Sequence, residues 1–483
     1  MHTSQSFAYY AAKLFVPIKD LAIDTTSNKP SFEAKPGDEF SLEGHKFFYK
    51  SNTVLEDGMY LASLFAINDG TSQKDRLKMI KNFRSNYSSL LEHVQILNNN
   101  DSDCVLDKVF AEPNSDERLV EMIIQGPGAL AITHHKDKIF KIDLSGMEKY
   151  EVREGFIPYG GCLYFTSAYE PLSITYFGVT SVRGDENWEK YKFIFKSSLL
   201  TKLIIKTHAL EYHLIHGSTV PQALFKLPDN NIVKILMQPF TYLNLESAAA
   251  AKTVLFGENR YFHRLFAFTF DSLESFVKYS LDNFKYESFI DRYYKLGHID
   301  ANIVKAPYFK DGYDVFSIFR NYVDKILVGP NAVNDIHEFV STLSNISNVD
   351  RFMLKESEDV QIFLANQVFI GTVGHEMIGN TVLKWQYDPQ ETSSKLKSGI
   401  LQSDVDTYEQ TMLIACATVM AKVPMLMDDL SYYFKNPEHQ KKYSKYFLSP
   451  LNKLADEIDK RNALRIKPFY GCHPRKLEST LSQ

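Results

Sequence analysis

The chain is poor in the residues from which special scaffolds are made. Its 483 residues include only four cysteines, Cys104, Cys162, Cys416 and Cys472, which are far apart and form no C-x-x-C pair. That argues against a disulfide framework and a thiolate zinc site, and it suits a reducing compartment. No apolar run approaches the roughly 18 residues that a membrane-spanning helix needs. Positive charge is not in excess either: the formal net charge is −5, which points away from nucleic acid as a partner. Residues 1–20 lack a basic stretch followed by an apolar one, so no signal peptide is expected and a cytoplasmic location is. There is no internal repeat, no low-complexity tract, no G-x-S-x-G and no Walker motif. Tyr159-Gly-Gly161 and Gly126-Pro-Gly128 read as turns rather than phosphate loops.

What the chain does have is aromatic residues. They make up 13%, with 35 Phe and 28 Tyr, beside 44% hydrophobic and 23% charged residues. The overall balance is that of a globular protein. The aromatic excess implies either a large aromatic core or an apolar cavity for a greasy substrate.

Residues 1–124 read as helix and loop. Helical spacing marks 5–15 and 75–97, the latter with Leu90, Val94 and Leu97 on one side. The stretch 25–43, rich in Ser, Pro, Gly and charge, reads as loop. Residues 125–186 change period and predict a small β segment. There, 129–133 and 139–143 alternate as two strands joined by a polar turn at 134–137, followed by strands at 162–165 and 172–177. From 187 to 483 the pattern is helical, with helices near 190–217, 245–255, 272–283, 313–326, 334–344, 356–383, 404–425 and 450–464. Ser449 and Pro450 suggest an N-cap and first turn for the last helix, and Leu451, Leu454, Ala455 and Ile458 form its apolar stripe. The fold class expected is mainly α, one compact unit with a small β ribbon in its N-terminal third.

Most of the fourteen histidines are isolated. His208, His213 and His216 instead sit together inside an apolar helix. Buried imidazoles need partners, because unpaired buried polar groups are costly. A metal would serve, and so would ordinary hydrogen bonds within the core. The spacing of His208 and His213 adds a demand. Five residues apart in an ideal α-helix, they would diverge by about 140°; a π-bulge would return them to one side. His213 and His216, three apart, offer an alternative zinc pair. A second apolar segment holds His375. His375-Glu376 opens like the protease motif H-E-x-x-H, but the fifth position is Gly379, so that motif fails. His134-His135 falls on the expected polar turn and reads as solvated.

Together these segments resemble the lipoxygenase family. The stretch 199–216, with His-x4-His, resembles that family's first metal-binding helix. Ile235-Leu-Met-Gln-Pro239 and Ala251-Lys252-Thr-Val-Leu255 resemble its LLxPH…ARxxL region, with Phe240 and Lys252 in place of His and Arg. Glu358-Asp359 through His375 matches its run from an acidic pair to a third histidine. Ile458-Asp-Lys-Arg461-Asn462 resembles IxxRN. Pro468-Phe-Tyr470 and Pro474-Arg-Lys-Leu477 resemble the family's ending, and the chain stops at Gln483, where a member is expected to stop. The likeness spans roughly 125–483, and 1–124 only loosely. An N-terminal β-sandwich is not evident.

The resemblance implies a non-haem iron held by His208, His213, His375 and the terminal carboxylate of Gln483. Asn380 is a weaker fifth ligand. It further implies hydrogen-atom abstraction between two cis double bonds of a polyunsaturated fatty acid, and trapping of the carbon radical by O2 as a hydroperoxide. Leu210, Ile215, Leu245 and Ile370 are candidates for an apolar substrate channel, or plain core. Peripheral contact with a membrane fits a lipid substrate. Four departures bear on activity: Ala209 replaces an acidic or amide residue, Ser218 replaces a non-ligating His, Gly379 holds the usual fourth-ligand position, and Gln483 replaces a terminal Ile. They leave open a repurposed iron chemistry on the same scaffold, or a non-catalytic lipid-binding protein. Loss of polar neighbours weakens the groups that orient metal ligands.

Overall fold

The computed structural model describes residues 37–49, 114–347, 352, 354, 357–379, 385–386, 391–397 and 424–481. The expected helices at 5–15 and 75–97, and the greater part of 404–425, lie outside them. The organising element is one continuous helix from 188 to 226. It is α over Trp188–Lys202, π over Leu203–His216, and α again over Gly217–Lys226. Its residues are buried on nearly every side, as its lack of a polar face requires of a core helix.

Other helices wrap this axis. Pro307–Ile326 lies along Ser357–Phe369, and Pro330–Ser347 lies against Gly217–Lys226. Their starts follow local chemistry. Thr269 and Ser288 each accept a backbone N–H as N-caps of Phe270–Asp282 and Phe289–Ile299, and Pro307 opens its helix where a missing N–H costs nothing. The helix Phe289–Ile299 was not anticipated, nor was Asp116–Ile124, which buries Arg118 and Glu121 against the rest of the chain. Among the described residues no helix is long and apolar enough to cross a membrane.

The β structure is smaller. Strands β1 (Asp38–Leu42) and β2 (His45–Tyr49) form a hairpin packed on Gly217–Lys226 and on Asn244–Ala250. Strands β3 (Thr133–Lys136), β4 (Ile139–Asp143), β5 (Cys162–Thr166), β6 (Pro171–Tyr176) and β7 (Val179–Ser181) form an antiparallel meander in chain order. Phe140 pairs with Phe165 and Ile142 with Leu163. All four side chains are buried, the period-2 alternation that one covered face produces.

Several expectations need correction. The first strand is 133–136, not 129–133. Pro127–Ala131 is a 3-10 turn, folded so tightly on the preceding helix that a Cβ at Gly126 or Gly128 would lie 2.8 or 2.7 Å from the Met122 carbonyl oxygen. His134 and His135 therefore lie on β3 rather than on the turn, which centres on Asp137 with φ 48°. Part of the expected loop 25–43 is strand β1. Ser449 is not a cap: Ser449–Leu464 continues directly from a π-helical Ser444–Leu448, whose wider turn tolerates the N–H missing at Pro450. The helix expected over 356–383 is α over Ser357–Phe369, π over Ile370–Gly374 and α over His375–Ile378. It ends before Gly379, whose φ and ψ of −77° and −86° are no longer helical.

Candidate metal centre

The π segment Leu203–His216 does what the five-residue spacing demands. With about 4.4 residues per turn, five residues advance one turn plus roughly 50°, so the two histidines share a face. Nε2 of His208 lies 2.9 Å from Nε2 of His213. His375 enters from the second helix, directly after its own π segment, with Nε2 at 3.1 Å from His208 and 3.2 Å from His213. His216 does not join them. Its Nδ1 meets the Gln367 side-chain amide at 2.9–3.1 Å, and its ring packs beside Phe284, Tyr286, Phe352 and Phe363. The alternative zinc pair His213–His216 is therefore not formed.

His213 and His375 are buried and His208 is half-buried. Burial disfavours the charged form, so the His208 imidazole is pushed down to about 4. The same cause, aided by the neighbouring rings, takes His213 and His375 well below the usual histidine range. All three are neutral near pH 7, each with a lone pair to give.

The donor set fits a metal ion. Three converging nitrogens have edges of 2.9, 3.1 and 3.2 Å. Donor atoms that share one first-row ion stand roughly 3–3.5 Å apart. Among the described residues this is also the group of histidines, cysteines and carboxylates whose donor atoms converge as a metal site requires.

Leu481, near the C-terminus, approaches the same place. Ser247 Oγ lies 3.3 Å from His213 Nδ1 and donates to the Leu481 carbonyl at 2.9 Å. The Leu481 N–H donates to Asn244 Oδ1 at 3.1 Å. A Cβ on Gly371 would meet Thr480 Cα at 3.8 Å, and one on Gly217 would meet Leu481 Cδ1 at 3.3 Å, so small residues leave room for the tail. Sequence reasoning missed Asn244 and Ser247. The available signal was a short polar pair, three apart, in a helix that ends in a run of alanines.

Asn380 and Gln483 lie outside the described residues. Leu210, Ile215, Leu245 and Ile370 are all buried. Ala209 is buried too. Ser218 accepts the Phe48 N–H at 3.3 Å and donates to the Leu214 carbonyl at 2.6 Å, which ties the β1–β2 hairpin to the central helix. Phe240 packs against Phe447, and the Lys252 ammonium sits 3.9 Å from the Tyr49 ring centroid.

No protein-family model and no curated protein matches the sequence. Solved structures are similar in fold, and they are lipoxygenases. The manganese lipoxygenase of Gaeumannomyces graminis has a TM-score of 0.69 at 14% identity, over 93% of this chain and 97% of that one. A coral 8R-lipoxygenase has 0.64 at 14%, over 79% and 70%. A LOX variant in an anaerobic complex with arachidonate has 0.70 at 13%, over 96% and 83%. The chain has a lipoxygenase-like fold.

Proposed function

We propose that the chain is a metal-dependent dioxygenase acting on polyunsaturated fatty acids. The observation that supports this above all is the convergence of His208, His213 and His375 through Nε2, inside a lipoxygenase-like fold. These three residues would hold the ion, with the Gln483 carboxylate as a further ligand and Asn380 as a weaker one. Iron is the ion expected from the family resemblance, and manganese is the alternative because one similar structure is named for it. When bound, the metal would supply the one-electron chemistry that removes a hydrogen atom from a bis-allylic methylene and allows O2 to add.

The chain's own residues have defined tasks in this reading. Desolvation keeps the three imidazoles neutral, so protons do not compete for the ion near pH 7. The π segments set both helices' histidines facing one another. Leu210, Ile215, Leu245 and Ile370, all buried, would give an apolar surround, fit to bind an acyl chain and exclude water from a carbon radical.

The test is metal analysis followed by oxygen uptake, on protein with an untagged C-terminus. Near one iron or manganese per chain, with conjugated hydroperoxide formed from linoleate or arachidonate, is the expected outcome. Bound metal without oxygen uptake would replace oxygenation with another oxidation on the same scaffold. Protein that takes up no metal from iron- or manganese-rich medium would overturn the enzyme reading and leave a lipid-binding protein.

A further inference from the structure

Asn244 and Ser247 lie three apart on the helix Asn244–Ala250 and so share a face. Both are buried. Between them they take both backbone polar groups of one residue near the chain end. Asn244 Oδ1 accepts the Leu481 N–H at 3.1 Å, and Ser247 Oγ donates to the Leu481 carbonyl at 2.9 Å. The same Ser247 oxygen lies 3.3 Å from His213 Nδ1. A hydroxyl has one hydrogen. If that hydrogen goes to Leu481, the oxygen can only accept from His213, so Nδ1 carries the proton and Nε2 carries the lone pair. The same hydroxyl also lies 3.0 Å from the Asn244 carbonyl; with its hydrogen on either carbonyl, the direction at the imidazole is the same, His213 Nδ1–H to Ser247 Oγ. The apolar walls agree, since Leu481 is 3% exposed and rests beside Gly217 and Gly371.

We propose that Asn244 and Ser247 are positioning residues that couple docking of the C-terminal segment to metal binding at His208, His213 and His375. One pair of side chains holds the backbone two residues before Gln483 and selects the ligating tautomer of His213. Leu481 and the His213 imidazole are thereby fixed together, and His213 loses its ligating orientation when Leu481 is undocked. The coupling to metal rests on the function proposed above; the two-point hold on Leu481 does not.

The experiment uses the full chain with Asn244→Ala, Ser247→Ala, Ser247→Thr and a deletion of residues 481–483. Two quantities are read: hydrogen exchange at the Leu481 amide in metal-free protein, and Fe(II) affinity by anaerobic competition with a chelator. Asn244→Ala should speed Leu481 exchange at least tenfold, and each alanine variant should weaken Fe(II) binding about 10- to 100-fold. Ser247→Thr, which keeps the hydroxyl, should restore affinity. Combining Ser247→Ala with the tail deletion should weaken binding no further than the deletion alone, because both remove one coupled unit. Unchanged Leu481 exchange in Asn244→Ala overturns the hold on the tail. Additive losses, or no rescue by threonine, overturn the coupling. If the wild-type chain binds neither Fe(II) nor Mn(II), the proposed function and the coupling both fail, and the hold on Leu481 stands or falls on exchange alone; if it binds Mn(II) alone, the same affinities are read with Mn(II).

Discussion

Nε2 of His208 and Nε2 of His213 stand 2.9 Å apart although five residues separate them in one helix. Only the π geometry of Leu203–His216 permits this. Neither nitrogen can satisfy the other well when both imidazoles are neutral and both present lone pairs. A shared cation would resolve the conflict. His208→Ala, His213→Ala and His375→Ala should each lower metal content from near one ion per chain to near zero by elemental analysis. Metal should raise the wild-type Tm, and a chelator should remove that gain. At a free ion concentration 1,000 times the Kd the gain is about 4 kcal/mol. Full occupancy in any of the three alanine variants would show that the ion sits elsewhere.

His216 supplies a separate test by pH. Burial pushes its imidazole down to about 4, against the opposing Gln367 hydrogen bond. The unfolded chain takes up a proton near the ordinary value of 6.5, while the folded chain refuses it until about 4. Stability tied to this residue is therefore complete above pH 6.5 and is lost as pH falls toward 4, by at most about 3 kcal/mol. In metal-free protein, His216→Leu should flatten the fall in Tm across this window. It should also lower Tm at neutral pH, because Gln367 loses its partner at a cost of about 1–3 kcal/mol. An unchanged acid slope in His216→Leu would assign that slope to other groups.

The centre was more legible in the sequence than its surroundings. His-x4-His in an apolar helix carries its own geometric problem, and a π segment solves it. A distant third histidine in another apolar helix then completes the set. The small sheet was legible too, because one covered face imposes alternation. What was hidden depends on partners far away in the chain. Nothing near Ser247 says that residue 481 will arrive, since the contact spans 234 positions. Asp116–Ile124 is short, and its charged Arg118 and Glu121 pair with each other inside the protein, which disguises its burial. The first strand of the meander was displaced because the Gly-Pro-Gly stretch tightens into a 3-10 turn that the alternation of 129–133 does not reveal.

Arg461 and Asn462 show why the IxxRN-like stretch matters to the tail. Asn462 takes both backbone groups of Phe469, donating to its carbonyl and accepting its N–H, each at 2.9 Å. Arg461 and Arg465 both reach the fully buried Asp311 at 2.7 Å, which pins Ser449–Leu464 to Pro307–Ile326. The tail leaves for the metal centre from this anchor. Asn462→Ala leaves two backbone groups unpaired, so it should destabilise by about 2–3 kcal/mol and lower metal occupancy as the tail loosens. Asp311→Ala leaves the two guanidinium groups without their shared carboxylate and should cost about 3–5 kcal/mol. Denaturant unfolding measures both. Wild-type stability in Asn462→Ala would show that Phe469 finds other partners.

Gly374 meets Tyr212 where the two ligand-bearing helices touch, each residue being next in sequence to a histidine of the centre. A Cβ at position 374 would lie 3.0 Å from Tyr212 Oη and 3.1 Å from Cε2. Contacts that short force movement, and both π segments are enclosed by core, so the methyl would act as a wedge between His213 and His375. Their Nε2 separation of 3.2 Å would widen beyond what neighbouring ligands on one ion allow. Gly374→Ala should therefore cost about 1–3 kcal/mol of stability and weaken metal binding about tenfold or more, read by chelator competition. Tyr212→Phe removes the nearest atom, and Tyr212→Leu removes the ring. In the Gly374→Ala background, affinity should recover in part with Phe and further with Leu. A loss that ignores the size of residue 212 would place the strain in the backbone of Ile370–Gly374 rather than in this contact.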